Sequence, residues 1–267
     1  MIRALLSQPS RGKPAFSPGA VGDGKGKAVF LGLPVSPALA SEDVTPQEFG
    51  TFNHPFTTVR ADAFQGTTNK QFPFRASGKL FFNIGSSTFV CSASLIKRGI
   101  VVTAAHCIAE FGGSFYSNWQ YVPGYKNGVA PYGTWPTGDA AVLSVYLNGT
   151  DSCANPGIIC QNDVGVLRLN PQAGKFPGQS TGFYGFGVDG FGFTPGNLAH
   201  ITQIGYPVCL DNGQRMERND SYGFVDASNS NNTIIGSLMC GGSSGGPWLV
   251  NFGRRPALTG TSSGSEF

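Results

Sequence analysis

Two short motifs place a serine and a histidine where they could carry out nucleophilic catalysis. The first is Gly242-Ser243-Ser244-Gly245-Gly246-Pro247. A serine hydroxyl attacks an acyl carbon efficiently only with a base to take its proton and N–H groups to receive the charge that moves onto the carbonyl oxygen. Glycines around Ser244 permit a tight turn that exposes its hydroxyl, and the amides of Gly242 and Ser244 are the candidate oxyanion donors. Taken alone, the hexapeptide equally describes a Gly/Ser-rich surface loop. The second motif is Thr103-Ala104-Ala105-His106-Cys107, which follows the apolar run Gly99 to Val102. Two alanines leave room beside the imidazole, and Cys107 can anchor its backbone. A Cys91–Cys107 bridge would close a loop of about 15 residues, worth roughly 3 kcal/mol in the chain-entropy picture. The plainer reading of a lone histidine is a satisfied core residue.

A histidine that accepts a proton from serine and returns it to a leaving group needs a carboxylate to orient its ring and favour the imidazolium. Asp163, in Asn162-Asp163-Val164-Gly165, opens an apolar run and lies between His106 and Ser244 in the chain. Asp139 is its rival, and a turn-capping aspartate is the structural alternative. His54 and His200 lack a supporting motif.

The elements that must position these residues read as short strands. KLFFNI, STFVCSASLI and GIVVTAA are β-branched or aromatic segments bounded by Gly, Ser and Lys-Arg-Gly. AAVLSVYL, VGVLRL, TGFYGFG, AHITQIGYPV, TIIGSL and PWLVNF extend the pattern, with turn signals at Lys126-Asn127-Gly128 and Asp211-Asn212-Gly213. No amphipathic stretch of helical length interrupts them, so the chain is expected to be all-β, a barrel or sandwich. Residues 1–72 are rich in Gly, Pro and Ser and read as a leader or propeptide that need not pack, with regular structure beginning near Phe74. The Pro/Gly-rich connection from Asn170 to Gly182 divides the rest into halves, 73–176 with His106 and Asp163, and 177–267 with Ser244.

Composition agrees with many tight turns: 39 glycines, 12% aromatic residues and 12% charged residues, against about 25% charged in typical domains. A hydrophobic share of 40% argues against disorder, and a net charge of +3 is too small to imply a nucleic-acid partner. Six cysteines without CxxC spacing fit three disulfides and an oxidising compartment better than a metal site. Within residues 25–40, Lys-Gly-Lys, an apolar run and Ala38-Leu39-Ala40 follow the order of a secretory signal. A disordered leader with a chance apolar run is the alternative. No apolar run approaches the ~20 residues of a membrane span.

His106, Asp163 and Ser244, in that chain order and within Thr-Ala-Ala-His-Cys and Gly-x-Ser-Gly-Gly-Pro, give the sequence a resemblance to the chymotrypsin-like, or trypsin-like, serine peptidases, particularly secreted bacterial ones. The resemblance covers roughly residues 74–253. It implies two antiparallel six-stranded barrels with the active site between them. It also implies an endopeptidase that works through an acyl-enzyme on protein or peptide substrates, as a secreted or periplasmic monomer, with no cofactor and no metal. It orders the remaining cysteine pairs as Cys153–Cys160 and Cys209–Cys240, although six cysteines permit fifteen connectivities.

Three positions depart from that pattern. Ser243 stands where members activated by cleavage carry an aspartate that pairs with a freed N-terminal amine, so activation is expected not to depend on such an ion pair. Leu238 occupies the place of the acid that confers cleavage after Arg or Lys, and its neighbours Ser237 and Met239 are also uncharged, which favours apolar or small side chains in the specificity pocket. The chain ends at Phe267, soon after Ser244, so the second barrel is expected to be truncated. The alternatives are a truncated or silent homologue that serves at most as a binding module, and a structural or adhesive all-β protein, which would leave both motifs unexplained.

Overall fold

The computed structural model describes residues 55–188, 192–194, 197–226, 232–250 and 252, together with the backbone of three short strands at Arg3–Leu5, Phe16–Ser17 and Val29–Phe30. Apart from Val29–Phe30, the candidate signal segment 25–40 lies outside the described residues, as does His54. The strands that matter to the site are β1 (Phe56–Arg60), β2 (Ser77–Ile84), β3 (Ser87–Lys97), β4 (Ile100–Thr103), β5 (Ser117–Pro123), β6 (Trp135–Leu143), β7 (Gly165–Leu169), β8 (Leu198–Gly205), β9 (Glu217–Val225), β10 (Thr233–Ile234) and β11 (Trp248–Val250).

Six of these close into an antiparallel barrel in the order β6-β7-β4-β3-β2-β5, with β5 returning to pair with β6 at Tyr121 and Trp135. Closure leaves no unpaired strand edge. The interior is filled by Leu80, Phe82, Leu95, Val101, Ile108, Tyr121, Val142 and Leu167, all buried. Gly85, with φ of +58°, makes the tight β2–β3 turn that sets Ile84 opposite Ser87.

The second half differs. Its strands form an open five-stranded sheet in which β9 pairs with β8 on one side and with β1 and β10 on the other, while β11 lies beyond β8. The expectation of a closed barrel is therefore met in the first half, whereas a second closed barrel is not formed among the described residues.

The expectation that residues 1–72 do not pack fails for 55–72. Phe56-Thr57-Thr58-Val59-Arg60 is β-branched enough to form a strand, and it pairs with Glu217 to Ser221. Thr68 and Asn69 are buried, and Asn69 Nδ2 donates to the Gly124 carbonyl at 2.6 Å.

The two halves share an apolar seam of Phe81, Val122, Tyr125, Tyr184, Ile204, Tyr206, Met216 and Leu249. Its phenols find acceptors, with Tyr184 donating to the Pro73 carbonyl at 2.8 Å, Tyr206 to the Tyr125 carbonyl at 2.9 Å and Tyr125 to Gln214 Oε1 at 2.6 Å, as buried hydroxyls require. Lys79, almost wholly buried, crosses the seam. Its Nζ donates to the Gly213 carbonyl at 2.6 Å and lies 4.9 Å from the Tyr125 ring centre, and burial lowers its pKa to about 8.

Candidate active site

His106 lies on the single 3-10 turn Ala105–Cys107 that leaves β4, so the end of one barrel strand fixes where the imidazole begins. The Cys91–Cys107 disulfide ties that turn to β3, and Trp119 Nε1 donates to the Cys107 carbonyl at 3.1 Å from beneath. Asp163 stands just before β7, which pairs with β4 so that Gly165 faces Thr103. This register brings the two side chains together. His106 Nδ1 and Asp163 Oδ2 are 2.7 Å apart, and Asp163 Oδ1 accepts the His106 backbone N–H at 2.9 Å. A carboxylate that grips both backbone and ring fixes the imidazole's position and its tautomer, leaving Nε2 to face outward. Both side chains are mostly buried, at 21% and 12% exposure. Burial first, and then the Asp163 charge, push the nearby Tyr146 phenol well above its ordinary range, while its hydroxyl donates to the Gly157 carbonyl at 2.6 Å.

Asp139, the rival carboxylate, instead forms an ion pair with Arg168, its cross-strand neighbour on β7. His200 is exposed on β8 against the Tyr222 ring. The carboxylate against His106 is thus Asp163.

Ser244 sits in the turn between Cys240 and β11, and the turn is seated directly on the barrel. Ser92 N–H, next to the disulfide-bonded Cys91, donates to the Ser244 carbonyl at 2.8 Å, and Cys107 Sγ lies 3.9 Å from that same oxygen. Gly245 explains why the contact can be so close. Its φ is +75°, and a Cβ there would overlap Thr103 Oγ1 and stand 2.5 Å from the Ala104 nitrogen, at the entry to the histidine turn. A Cβ on Gly246 would likewise overlap the Ile204 carbonyl of β8. Ser243 is buried, and its hydroxyl donates to the Cys240 carbonyl at 2.7 Å, which tightens the turn. Cys240 is disulfide-bonded to Cys209, and Cys153 to Cys160 in the loop before Asp163.

Around the expected specificity pocket, Leu238 is 59% exposed and its N–H donates to Thr58 Oγ1 of β1 at 3.1 Å. Ser237 Oγ donates to Gln203 Oε1 at 2.8 Å, and Met239 is fully buried. Among the described residues the cavity that touches the serine turn, of about 310 Å³, is lined by Val102, Tyr184, Gly245, Pro247, Trp248 and Val250 rather than by these three. Sequence reasoning missed Ser92 and Thr58 as supports, because their role arises from contacts between distant segments and neither belongs to a recognisable motif.

Two groups of side chains come close enough to share a metal ion, Cys91 with His106 and Cys107, and Asp151 with Cys153 and Cys160. In each group the two cysteines are joined in a disulfide and have no thiolate to give, so the residues do not fit a metal centre.

The family model named Trypsin matches residues 64–267. Among solved structures, the protease Anisep from Arthrobacter nicotinovorans superposes with a TM-score of 0.57 at 28% identity, covering 73% of this chain and 82% of that one. The thermostable serine protease AL20 from an extremophilic microorganism gives 0.55 at 26% identity, covering 67% and 80%. A curated relative, named an extracellular metalloprotease of Bacillus subtilis strain 168, is 27% identical over 122 residues, 45% of this chain, which spans about 35% of that relative's length. With the family match spanning most of the chain, the chain belongs to the trypsin family of chymotrypsin-like serine peptidases.

Proposed function

We propose that the chain is an exported serine endopeptidase that hydrolyses peptide bonds through an acyl-enzyme. The observation that carries the proposal is the doubly held carboxylate: Asp163 takes both the His106 ring and its backbone N–H, while the Sγ of the next residue, Cys107, lies 3.9 Å from the Ser244 carbonyl oxygen. In this reading Ser244 Oγ attacks the substrate carbonyl carbon as its proton passes to His106 Nε2. The charge that develops on the carbonyl oxygen is received by the Gly242 and Ser244 amides. The imidazolium, stabilised by Asp163, then gives the proton to the leaving amine, and the C–N bond breaks to leave an ester on Ser244. A water molecule, deprotonated by the same histidine, attacks the ester carbon; the bond to Ser244 Oγ breaks, the imidazolium returns the proton to that oxygen, and the acid is released.

The substrate is a protein or peptide, the enzyme works as a monomer, and no metal enters the scheme. Three disulfides fit an oxidising destination, outside the cell or in a periplasm, and among the described residues no helix is long and apolar enough to cross a membrane. With uncharged residues at 237–239, the cleavage preference is for apolar or small side chains. Hydrolysis of an unfolded, fluorescently labelled protein by the full chain, and its loss in Ser244→Ala, tests the reading. A folded wild-type chain that leaves such a substrate intact, and whose only effect is to bind it, would favour the binding-module alternative.

A further inference from the structure

Ser92 is almost wholly buried, carries no charge and belongs to neither catalytic motif, yet it touches the serine turn at two points. Its N–H donates to the Ser244 carbonyl at 2.8 Å, and its hydroxyl donates to the Gly242 carbonyl at 2.8 Å while accepting the Tyr206 N–H at 2.9 Å. From the barrel side, the Ser92 carbonyl accepts the Thr103 hydroxyl at 2.8 Å, which ties the same residue to the strand that ends in His106.

A trans peptide unit is planar, so its N–H points opposite to its C=O. Fixing a carbonyl therefore fixes the direction of the amide on the same unit. The Gly241 carbonyl accepts the Val208 N–H at 2.8 Å, which aims the Gly242 N–H away from the 207–213 loop. The Ser243 carbonyl accepts the Gly246 N–H at 3.0 Å, which sets the Ser244 N–H. Between these two donors lies the Gly242–Ser243 unit, joined to Gly242, whose φ is +92°. The N–H of this unit donates to the Cys240 carbonyl at 3.1 Å, so the bond to its carbonyl is the second of two anchors. Glycine tolerates a wide range of φ, so with one anchor lost the unit can rock about the other and carry the two amides out of convergence. The side-chain bond that holds that carbonyl comes from Ser92.

On the reading that Gly242 and Ser244 receive the oxyanion, we propose that the Ser92 hydroxyl is a positioning group for that pair of donors, supplied by the barrel to the opposite half. It touches no substrate and acts only by keeping the two N–H groups aimed at one point.

The test uses the full chain with Ser92→Ala and Ser92→Thr, the latter retaining the hydroxyl, each assayed well below its own melting midpoint. For Ser92→Ala, kcat on a peptide amide falls roughly 10- to 100-fold with KM within about twofold, the size expected when an oxyanion donor is weakened rather than removed. Affinity for a peptidyl trifluoromethyl ketone, whose adduct carries the oxyanion, falls by the same factor, and Ser92→Thr recovers most of both. A readout that needs no turnover is the amide NMR signal of Gly242, which broadens or splits in Ser92→Ala and stays single in wild type and Ser92→Thr. Unchanged kcat and an unchanged Gly242 signal in folded Ser92→Ala would overturn the proposal. If the wild-type chain proves inactive, the functional reading fails, and the Gly242 signal still decides whether Ser92 holds the turn.

Discussion

The closed barrel and the open sheet carry different parts of the site and are held together by different means. The barrel encloses a large apolar core, and its strand register, together with the Cys91–Cys107 disulfide, fixes His106 and Asp163. The sheet's own apolar cluster among the described residues is Ala199, Ile201 and Ile235, and the inward positions of its central strand β9 are Glu217, Asn219 and Ser221. Ser244 belongs in sequence to the sheet half, yet its turn rests on Ser92, Thr103 and Cys107 of the barrel. A site split between two halves thus gains its geometry mainly from the rigid one. The weaker half presents Ser244, the proposed nucleophile, on glycines that let it be pressed into place.

The sharpest way to break this comparison is to remove the groups themselves. Ser244→Ala and His106→Ala are each expected to lower kcat by 10⁴-fold or more, and Asp163→Asn by about 10⁴-fold, with the melting curve unchanged, as measured on a peptide amide. Next in size is Gly245→Ala, which forces a Cβ into Thr103 in a left-handed backbone conformation. Peptidase activity should fall roughly 10³-fold, because misplacement by about 1 Å already costs about 10². The barrel's near-ultraviolet dichroism should persist; its loss would show that the turn and the barrel are one structural unit. A smaller effect comes from Cys91→Ser with Cys107→Ser, expected to cost about 3 kcal/mol in denaturant unfolding and to loosen His106 and Ser244 together.

The smallest effect probes the polar interior of the sheet. Burial pushes the Glu217 carboxyl up to about 7, with Asp211 and Asp62 adding to the rise and Arg60 and Arg215 opposing it. Because the folded state holds this proton more tightly than the unfolded chain, the contribution is fully present below about pH 4.5 and is lost as pH rises to about 7. Glu217→Gln should therefore remove that fall and be more stable than wild type above pH 7 by about 1–2 kcal/mol, read from urea midpoints across the window. An identical pH profile in the two proteins would show that the carboxyl is free of the burial cost.

The barrel was legible because its inward positions are apolar: Leu80, Phe82, Leu95 and Val101 mark strands by alternation or by a buried run. β9 was not, since its buried face is polar, and two of its members are satisfied by partners far along the chain. Asn219 bonds Thr58 and Gly236, and Ser221 bonds Pro55 and Gly236. β1 was hidden for the same reason, because it is defined by its pairing with β9 and not by a core-facing stripe. The run AAVLSVYL reads as one strand, but the chain leaves β6 at Leu143 and turns helical over Ser144–Leu147 so that Tyr146 enters the barrel core. Of the site, the His106, Asp163 and Ser244 candidates could be named from motif and order. The supports around them could not, because Ser92 and Thr58 act through contacts that no local spacing encodes.

The central claim, that a base held by the barrel activates a serine presented by the sheet, is tested most directly by covalent labelling. The folded full chain is treated with a fluorophosphonate, and the adduct is located by peptide mass spectrometry in wild type, Ser244→Ala and His106→Ala. The account predicts one adduct on Ser244 in wild type, none in Ser244→Ala and a labelling rate far below wild type in His106→Ala. No adduct on Ser244 in a folded sample, or a rate in His106→Ala equal to that of wild type, would contradict it.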